Sequence, residues 1–517
     1  MTKTMLTRSQ TSVVLLAMML LIGAVAASRL LVLAGIAAVL GLSLLIILVL
    51  GKEKGLECCF FLVLFAETKF RNRSAGALLS GDVDAQIGFE LALYTVVFIL
   101  TAVNFATLPP ERLRPKSNEQ FVIYYALVAA ASYFWSYNAS ITAVRALQQV
   151  TLVAFLYVAI RILTPARFLR ALGLTLVFSV LTFALLAILV PAARGPWSIE
   201  MGHRVQRFSW FAVHPITAAC EAGGALVFLL SERLYGKSKN LLKIPLSAFI
   251  VPIVAILFAT RARGAILAAI AAVTLLIVRP RINSRLARFG AISVFGLIAV
   301  LAIAGFDPIT STVTMIASED NPIGRYVLRG QSVDELLTVS GRTELWRGAY
   351  ELFLNHPLLG HGYIASRSLL LAIESWAGEA HNALAESLLD LGIVGTVLLW
   401  LPLLRALGGS LKMVKIGRHT EWPYALVAAI LTFVLFEGFV AAGFAGFLTY
   451  DPTLLFGSIL AYDAIAAELT ARNLQRQNYG GRQFAPREWR GGNGTAAAAA
   501  QGVTPIYPTI KRMNEGS

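Results

Sequence analysis

Histidine, arginine and carboxylate gather in two short stretches of this chain, Ser340-Gly341-Arg342-Thr343-Glu344-Leu345-Trp346 and His381-Asn382-Ala383-Leu384-Ala385-Glu386. Each residue type suits a particular chemistry. A neutral imidazole accepts a proton from a reacting hydroxyl, and a guanidinium keeps its charge and offers a planar fork matched to phosphate oxygens. Asn382 and Glu386 are four apart and share a face if a helix begins near His381. The positive end of that helix would favour the neutral form of His381. A structural histidine at a membrane border is the competing reading, and composition alone leaves both open.

Basic residues are distributed asymmetrically. Beyond Lys116, lysines fall in one set of loops and in the tail, whereas the opposite loops use arginine alone. Arg194, Arg204 and Arg207 share one loop, Arg261 and Arg263 mark a tight hairpin, and Arg325, Arg329, Arg342, Arg347 and Arg367 lie in the long insertion. Arginines converging from separate loops would suit a diphosphate; pairing with the acids of the same loops is the plainer alternative. In Thr260-Arg261-Ala262-Arg263-Gly264 two arginines sit between apolar runs, where charge is costly and tends to be functional, although such side chains can also snorkel to the interface. Metal chemistry has little support: His356 and His361 lack a further pair at ligand spacing, Asp82 and Asp84 are only two carboxylates in a Gly/Ser loop, and no HExxH or CxxC occurs. No metal site and no cofactor are therefore expected.

The elements that must position these residues are membrane spans. The chain has 517 residues, 57% hydrophobic and 14% charged, with a mean hydropathy of +0.71, against about a quarter charged residues in a soluble domain. Apolar runs at 13–27, 30–50, 55–66, 87–105, 120–135, 141–160, 168–190, 216–230, 244–259, 265–278, 289–304, 391–407, 424–441 and 453–467 predict an all-α polytopic membrane protein of about 12–14 transmembrane helices with one large helical periplasmic loop. The net charge of +15 is read as loop lysine and arginine following the positive-inside rule, without the basic helix or aromatic ladder of a nucleic-acid binder. Lys52, Arg112, Arg161, Arg167, Arg233, Arg279 and Lys412 then mark the cytoplasmic side, with both termini inside and 305–390 outside; Lys69, Arg71 and Arg73 run against the rule. Cys58, Cys59 and Cys220 lie in apolar runs and read as inert packing. The divisions are 1–54, N-terminal spans; 55–304, a core with an outer loop at 192–214; 305–390, the periplasmic loop carrying the catalytic residues; 391–470, C-terminal spans; and 471–517, a disordered cytoplasmic tail. In the loop, 344–354 reads as an amphipathic helix ended by Asn355-His356-Pro357.

Taken together, Ser340–Trp346, His356-Pro357-Leu358-Leu359-Gly360-His361-Gly362-Tyr363 and the run from His381 to Gly395 resemble the O-antigen ligase and polysaccharide polymerase superfamily. Arg263-Gly264-Ala265 is similar to its arginine motif, and Arg207-Phe208-Ser209 with His214-Pro215 to its upstream outer-loop motif, where Ile216 replaces the usual asparagine. The resemblance spans 206–395. It implies metal-independent, inverting glycosyl transfer at the outer face of the bacterial inner membrane, from an oligosaccharide on undecaprenyl diphosphate to another lipid-linked repeat or to lipid A core. By the same resemblance, Arg263 and Arg342 would neutralise the departing diphosphate, with Arg261, Arg207 and His214 in the substrate site. His381 would take the acceptor proton, oriented by Glu386 and Asn382. The lipid-linked oligosaccharide and the bilayer are the implied partners, together with a chain-length regulator and export machinery; nucleic acid is not among them. A lipid-linked glycan transporter is the rival from another class, but no internal repeat is evident and the polar residues favour one face; Arg145, Gln148 and Gln149 are the exception.

Overall fold

A computed structural model of the chain describes residues 51–67, 85–195, 206–236, 240–241, 244–278, 342–374, 377–414, 422–441, 443–446 and 450–480. The expected spans at 13–27, 30–50 and 289–304, together with Asp82, Asp84, Arg204, Arg325 and Arg329, lie outside the described residues.

The described chain is α-helical apart from a few short turns and one two-stranded ribbon. In order its helices are α1 Lys52–Glu67, α2 Ala85–Ala106, α3 Ser117–Ala131, α4 Ala139–Ile162, α5 Pro165–Leu189, α6 Pro215–Tyr235, α7 Ile250–Ala259, α8 Arg263–Val278, α9 Arg342–Asn355, α10 Ser366–Ile373, α11 Ala383–Met413, α12 Trp422–Gly438 and α13 Tyr450–Gly480. The ribbon pairs Asn240–Leu241 with Ile244–Pro245 ahead of α7. Six helices are long and apolar enough to cross a bilayer, namely α2, α4, α5, α6, α11 and α13, while α7, α8 and α12 are shorter apolar helices. The chain is thus an all-α, polytopic membrane protein. Residues 1–468 form one compact unit and 469–517 a second, described only in its helical stretch up to Gly480.

Local sequence sets several helix starts. Thr164 caps α5 through its hydroxyl, which accepts from the Arg167 N–H, with Pro165 in the first turn, where its missing N–H is harmless. His214 and Pro215 begin α6 in the same manner, with the His214 imidazole accepting from Ile216 N. Basic residues pair with acids at the opposite end of the bundle: Arg161 with Glu119, Arg167 with Glu53 and Glu57, and Arg170 with Glu232. From His214 to Glu232 helix α6 covers about 27 Å at 1.5 Å per residue, close to the thickness of a bilayer core. The arginine–acid girdle and the His214 end therefore lie one membrane thickness apart. Within the bundle, Arg145 is buried and its guanidinium sits 2.7 Å from Glu90, with Gln148 completing the group. This pairing accounts for polar residues in a span that sequence left as an anomaly.

The core divides in two. The spans share one large apolar cluster, whereas Leu345, Ala349, Leu370, Ala377, Ala380 and Leu389 form a separate one under the loop helices α9 and α10 and the first turns of α11.

Helix α11 is interrupted at Gly392, whose φ of 62° and ψ of −160° are not helical. The His356–Tyr363 turn docks against that break. Ile393 N donates to Pro357 O, Val394 N to Leu358 O, His361 N to Leu389 O and Gly362 N to Asp390 O. Gly360 and Gly392 both have positive φ, and a Cβ on either would overlap backbone of the other segment, so close approach requires glycine at both places.

Two expectations are corrected. The run 244–259 is not helical throughout: strand Ile244–Pro245 and a 3₁₀ turn precede α7. Pro245 accounts for this, since its lack of an N–H and fixed φ favour the extended start. Residues 471–480 are helical rather than disordered, because Ala471, Arg472, Leu474 and the glutamines that follow are good helix formers extending an already nucleated helix; 481–517 lie outside the described residues. The short helix α10 was not foreseen.

Candidate active site

The site is built on the loop between α10 and α11. Asn382 caps α11, its Oδ1 accepting from the N–H groups of Leu384 and Ala385, and its Nδ2 donates to Phe439 O in the turn after α12 at 3.4 Å. His381 precedes it with a φ of 50°, a left-handed backbone that costs a non-glycine residue about 1–3 kcal/mol and survives where its surroundings enforce it. They do so here. Trp346 Nε1 of α9 donates to Ala380 O at 2.9 Å, and Ala380 N donates to Glu386 Oε2 at 2.6 Å. The other Glu386 oxygen accepts from Ser366 Oγ at 2.6 Å. One turn on, Asp390 accepts from Ile364 N and Ser366 N, both at 2.9 Å, fixing the start of α10. Glu386 is buried and holds the backbone one residue ahead of His381; both its oxygens are engaged elsewhere than on the imidazole.

The carboxylate that faces the imidazole is Glu379, with Oε1 3.0 Å from His381 Nδ1. Burial works to raise this carboxyl, but the contact with His381 and the His381, His214 and Arg367 charges outweigh it and hold the group at about 2. Glu379 is thus a permanent anion at physiological pH. Arg367 lies alongside, its guanidinium in packing distance of Gly378, where a Cβ would come within 3.3–3.4 Å. Glu379 gave no sequence signal: it sits in a coil two residues before His381, outside any helical spacing.

The arginine hairpin meets the site from the membrane side. Thr260, Arg261 and Ala262 connect α7 to α8, with Arg261 at a φ of 54°. The 206–210 segment runs beside it: Phe208 N donates to Ala259 O at 3.0 Å and Arg207 Nε to Thr260 O at 3.2 Å. Arg207 and the Arg261/Arg263 turn are thereby brought together. Gly264, next to Arg263, abuts Val440, one residue from the Phe439 carbonyl that holds Asn382. His214 is within electrostatic reach of Glu379. Arg342 begins α9, one turn before the Trp346 that binds Ala380, and its side chain lies outside the described residues. Two arginines fall elsewhere. Arg194 donates to the carbonyls of Ala187 and Ile188 at the end of α5, and Arg347 is exposed.

The described geometry gathers His381, Asn382, Glu379, His214 and the 207/261/263 arginines at the end of the bundle remote from the Arg161–Glu119 girdle. Such an arrangement can accept a proton at an imidazole and neutralise an anionic group at the bilayer edge. Among curated proteins no relative matches the chain. Residues 248–400 match the family model described as O-antigen ligase. The matched segment contains Arg261, Arg263, Arg342, Glu379, His381, Asn382 and Glu386, and leaves out Arg207 and His214.

Proposed function

We propose that this chain, whose residues 248–400 match the family model described as O-antigen ligase, polymerises oligosaccharide repeats carried on undecaprenyl diphosphate, at the periplasmic face of the inner membrane. The observation that carries this reading is the Glu379–His381 contact set beside the Arg207/Arg261/Arg263 turn.

In this mechanism a hydroxyl oxygen of the acceptor repeat attacks the anomeric carbon of the donor from the face opposite the diphosphate. The new C–O bond forms as the bond from C1 to the phosphate oxygen breaks, so configuration inverts. The proton of the attacking hydroxyl passes to Nε2 of His381, and Glu379, whose Oε1 lies 3.0 Å from Nδ1, stabilises the imidazolium that results. Negative charge develops on the departing diphosphate, and Arg263 and Arg342, together with Arg261 and Arg207, are the groups to offset it. Asn382 fixes the loop through Phe439 O, and His214 is within electrostatic reach of Glu379. With guanidinium charge to offset the leaving group, the transfer is metal-independent. By the positive-inside rule the arginine–acid girdle marks the cytoplasmic side, which supports a site at the outer face. A chain-length regulator and export machinery are the fitting partners for a polymer made there.

Replacing Arg263, Arg342 or His381 singly by alanine tests the reading. Accumulation of single lipid-linked repeats without long polymer is the expected result. Full-length polymer left on its lipid carrier would instead assign ligation to lipid A core or protein, the activity that the family description favours. Unaltered glycan from all three variants, each present in the membrane, would exclude the enzyme reading.

A further inference from the structure

Just beneath the His381 loop three spans bring an unusual donor set together. Cys220 lies on α6, six residues and about 9 Å in from the His214 cap; Glu437 is near the end of α12 and Asp451 near the start of α13. One ligand atom of each lies within 4.8 Å of the others. The three residues are 1%, 1% and 5% exposed. The Cys220 thiol donates to Glu437 Oε1 at 3.2 Å, while Glu437 Oε2 has no hydrogen-bond partner. A fourth donor stands beside them. Glu221, 6% exposed, neighbours Asp451 electrostatically, and its Oε2 is also without a partner. Among the described residues no lysine or arginine is ion-paired with Glu437 or Glu221.

Buried carboxylates without partners are costly in any protein interior, and more so in a bilayer. The cost is removed by protons or by a cation. A thiol among the donors favours a particular class of cation, because thiolate with carboxylates suits zinc-like divalent ions over magnesium or calcium. We propose that Cys220, Glu437 and Asp451, with Glu221 as a fourth donor, bind one zinc-class divalent ion that clamps the site-side ends of α6, α12 and α13. On binding, Cys220 releases the thiol proton it now shares with Glu437 and ligates as the thiolate. The ion stays off the reaction path. Its role is to fix the turn carrying Phe439, whose carbonyl holds Asn382, and so to steady the His381 loop from below. The inference does not depend on which glycan is transferred.

The full chain, purified in mild detergent, supplies the test. Elemental analysis should find near-equimolar zinc-class metal, and chelation should lower the melting temperature. Zinc returned to the chelated protein should raise it by about 3 °C or more. The variants C220S, E437Q and D451N, each close in shape to the native residue, should lose both bound metal and the zinc-dependent rise. Native protein that carries no metal and melts at the same temperature with and without added zinc overturns the proposal and leaves protons as the neutralising charge. An unchanged rise in all three variants overturns it equally. Should the variants fail to fold, metal content and chelation of the native chain decide alone.

Discussion

His381 Nδ1 and Glu379 Oε1 stand 3.0 Å apart across a single intervening residue, with the histidine held in a left-handed conformation. The two residues on either side of the imidazole are each tied down, Ala380 by Trp346 and Glu386, Asn382 by Phe439. The ring is therefore oriented by its backbone as well as by its carboxylate neighbour.

Glu379 should behave as a positioning residue for His381. E379Q keeps the shape and removes the anion that steadies the imidazolium, so turnover should fall about 10²-fold or more. The KM for lipid-linked donor should change little, because Glu379 is placed against the base rather than the diphosphate. E379D should recover part of the loss. Steady-state transfer measured on purified lipid-linked repeats separates the two parameters.

The same carboxylate has a pH signature in stability. Its ordinary value of 4.5 falls to about 2 in the folded protein, so the stability it contributes is complete above about 4.5 and disappears as pH falls through about 2. The melting temperatures of the native protein and E379Q should converge as pH falls from about 4.5 toward about 2. A difference that grows toward acid pH would contradict the assignment.

Gly360 and Gly392 should tolerate no side chain. Each has positive φ, and each faces the backbone of the other segment. Alanine at either should cost about 2–4 kcal/mol from left-handed strain and overlap together. G408A, later in the same helix with open space around its Cβ position, should be near neutral. Thermal unfolding in detergent would rank the three.

Breaking the Arg145–Glu90 pair should be more damaging than removing it. R145L leaves the buried Glu90 without its countercharge and should cost about 3–5 kcal/mol, whereas R145L with E90L should recover much of that loss. A double-mutant cycle on melting temperature and membrane yield measures the coupling.

Much of the scaffold was legible in the residues. Apolar runs located α2, α4, α5, α6 and α8 to within a few residues, and amphipathic spacing located α9. A helix does begin beside His381, and Asn382 caps it. What could not be read was whatever depends on distant backbone. The break at Gly392 lies in an unremarkable apolar run and exists because the His356–Tyr363 turn takes up the hydrogen bonds of its neighbours. Glu90 and Arg145 are 55 residues apart, and nothing local announces their pairing. Glu386 drew notice for sharing a helix face with Asn382, yet it grips Ala380 and Ser366, while the carboxylate touching the imidazole comes from irregular chain where spacing carries no information.

The loop helices rest on an apolar nucleus of their own, from Leu345 to Leu389, distinct from the one shared by the spans. A lobe with its own foundation can be exchanged without rebuilding what lies under it. Chimaeras that trade 342–390 between relatives should insert into the bilayer normally and inherit the sugar preference of the donor lobe, which would let glycan diversity evolve on a constant membrane chassis.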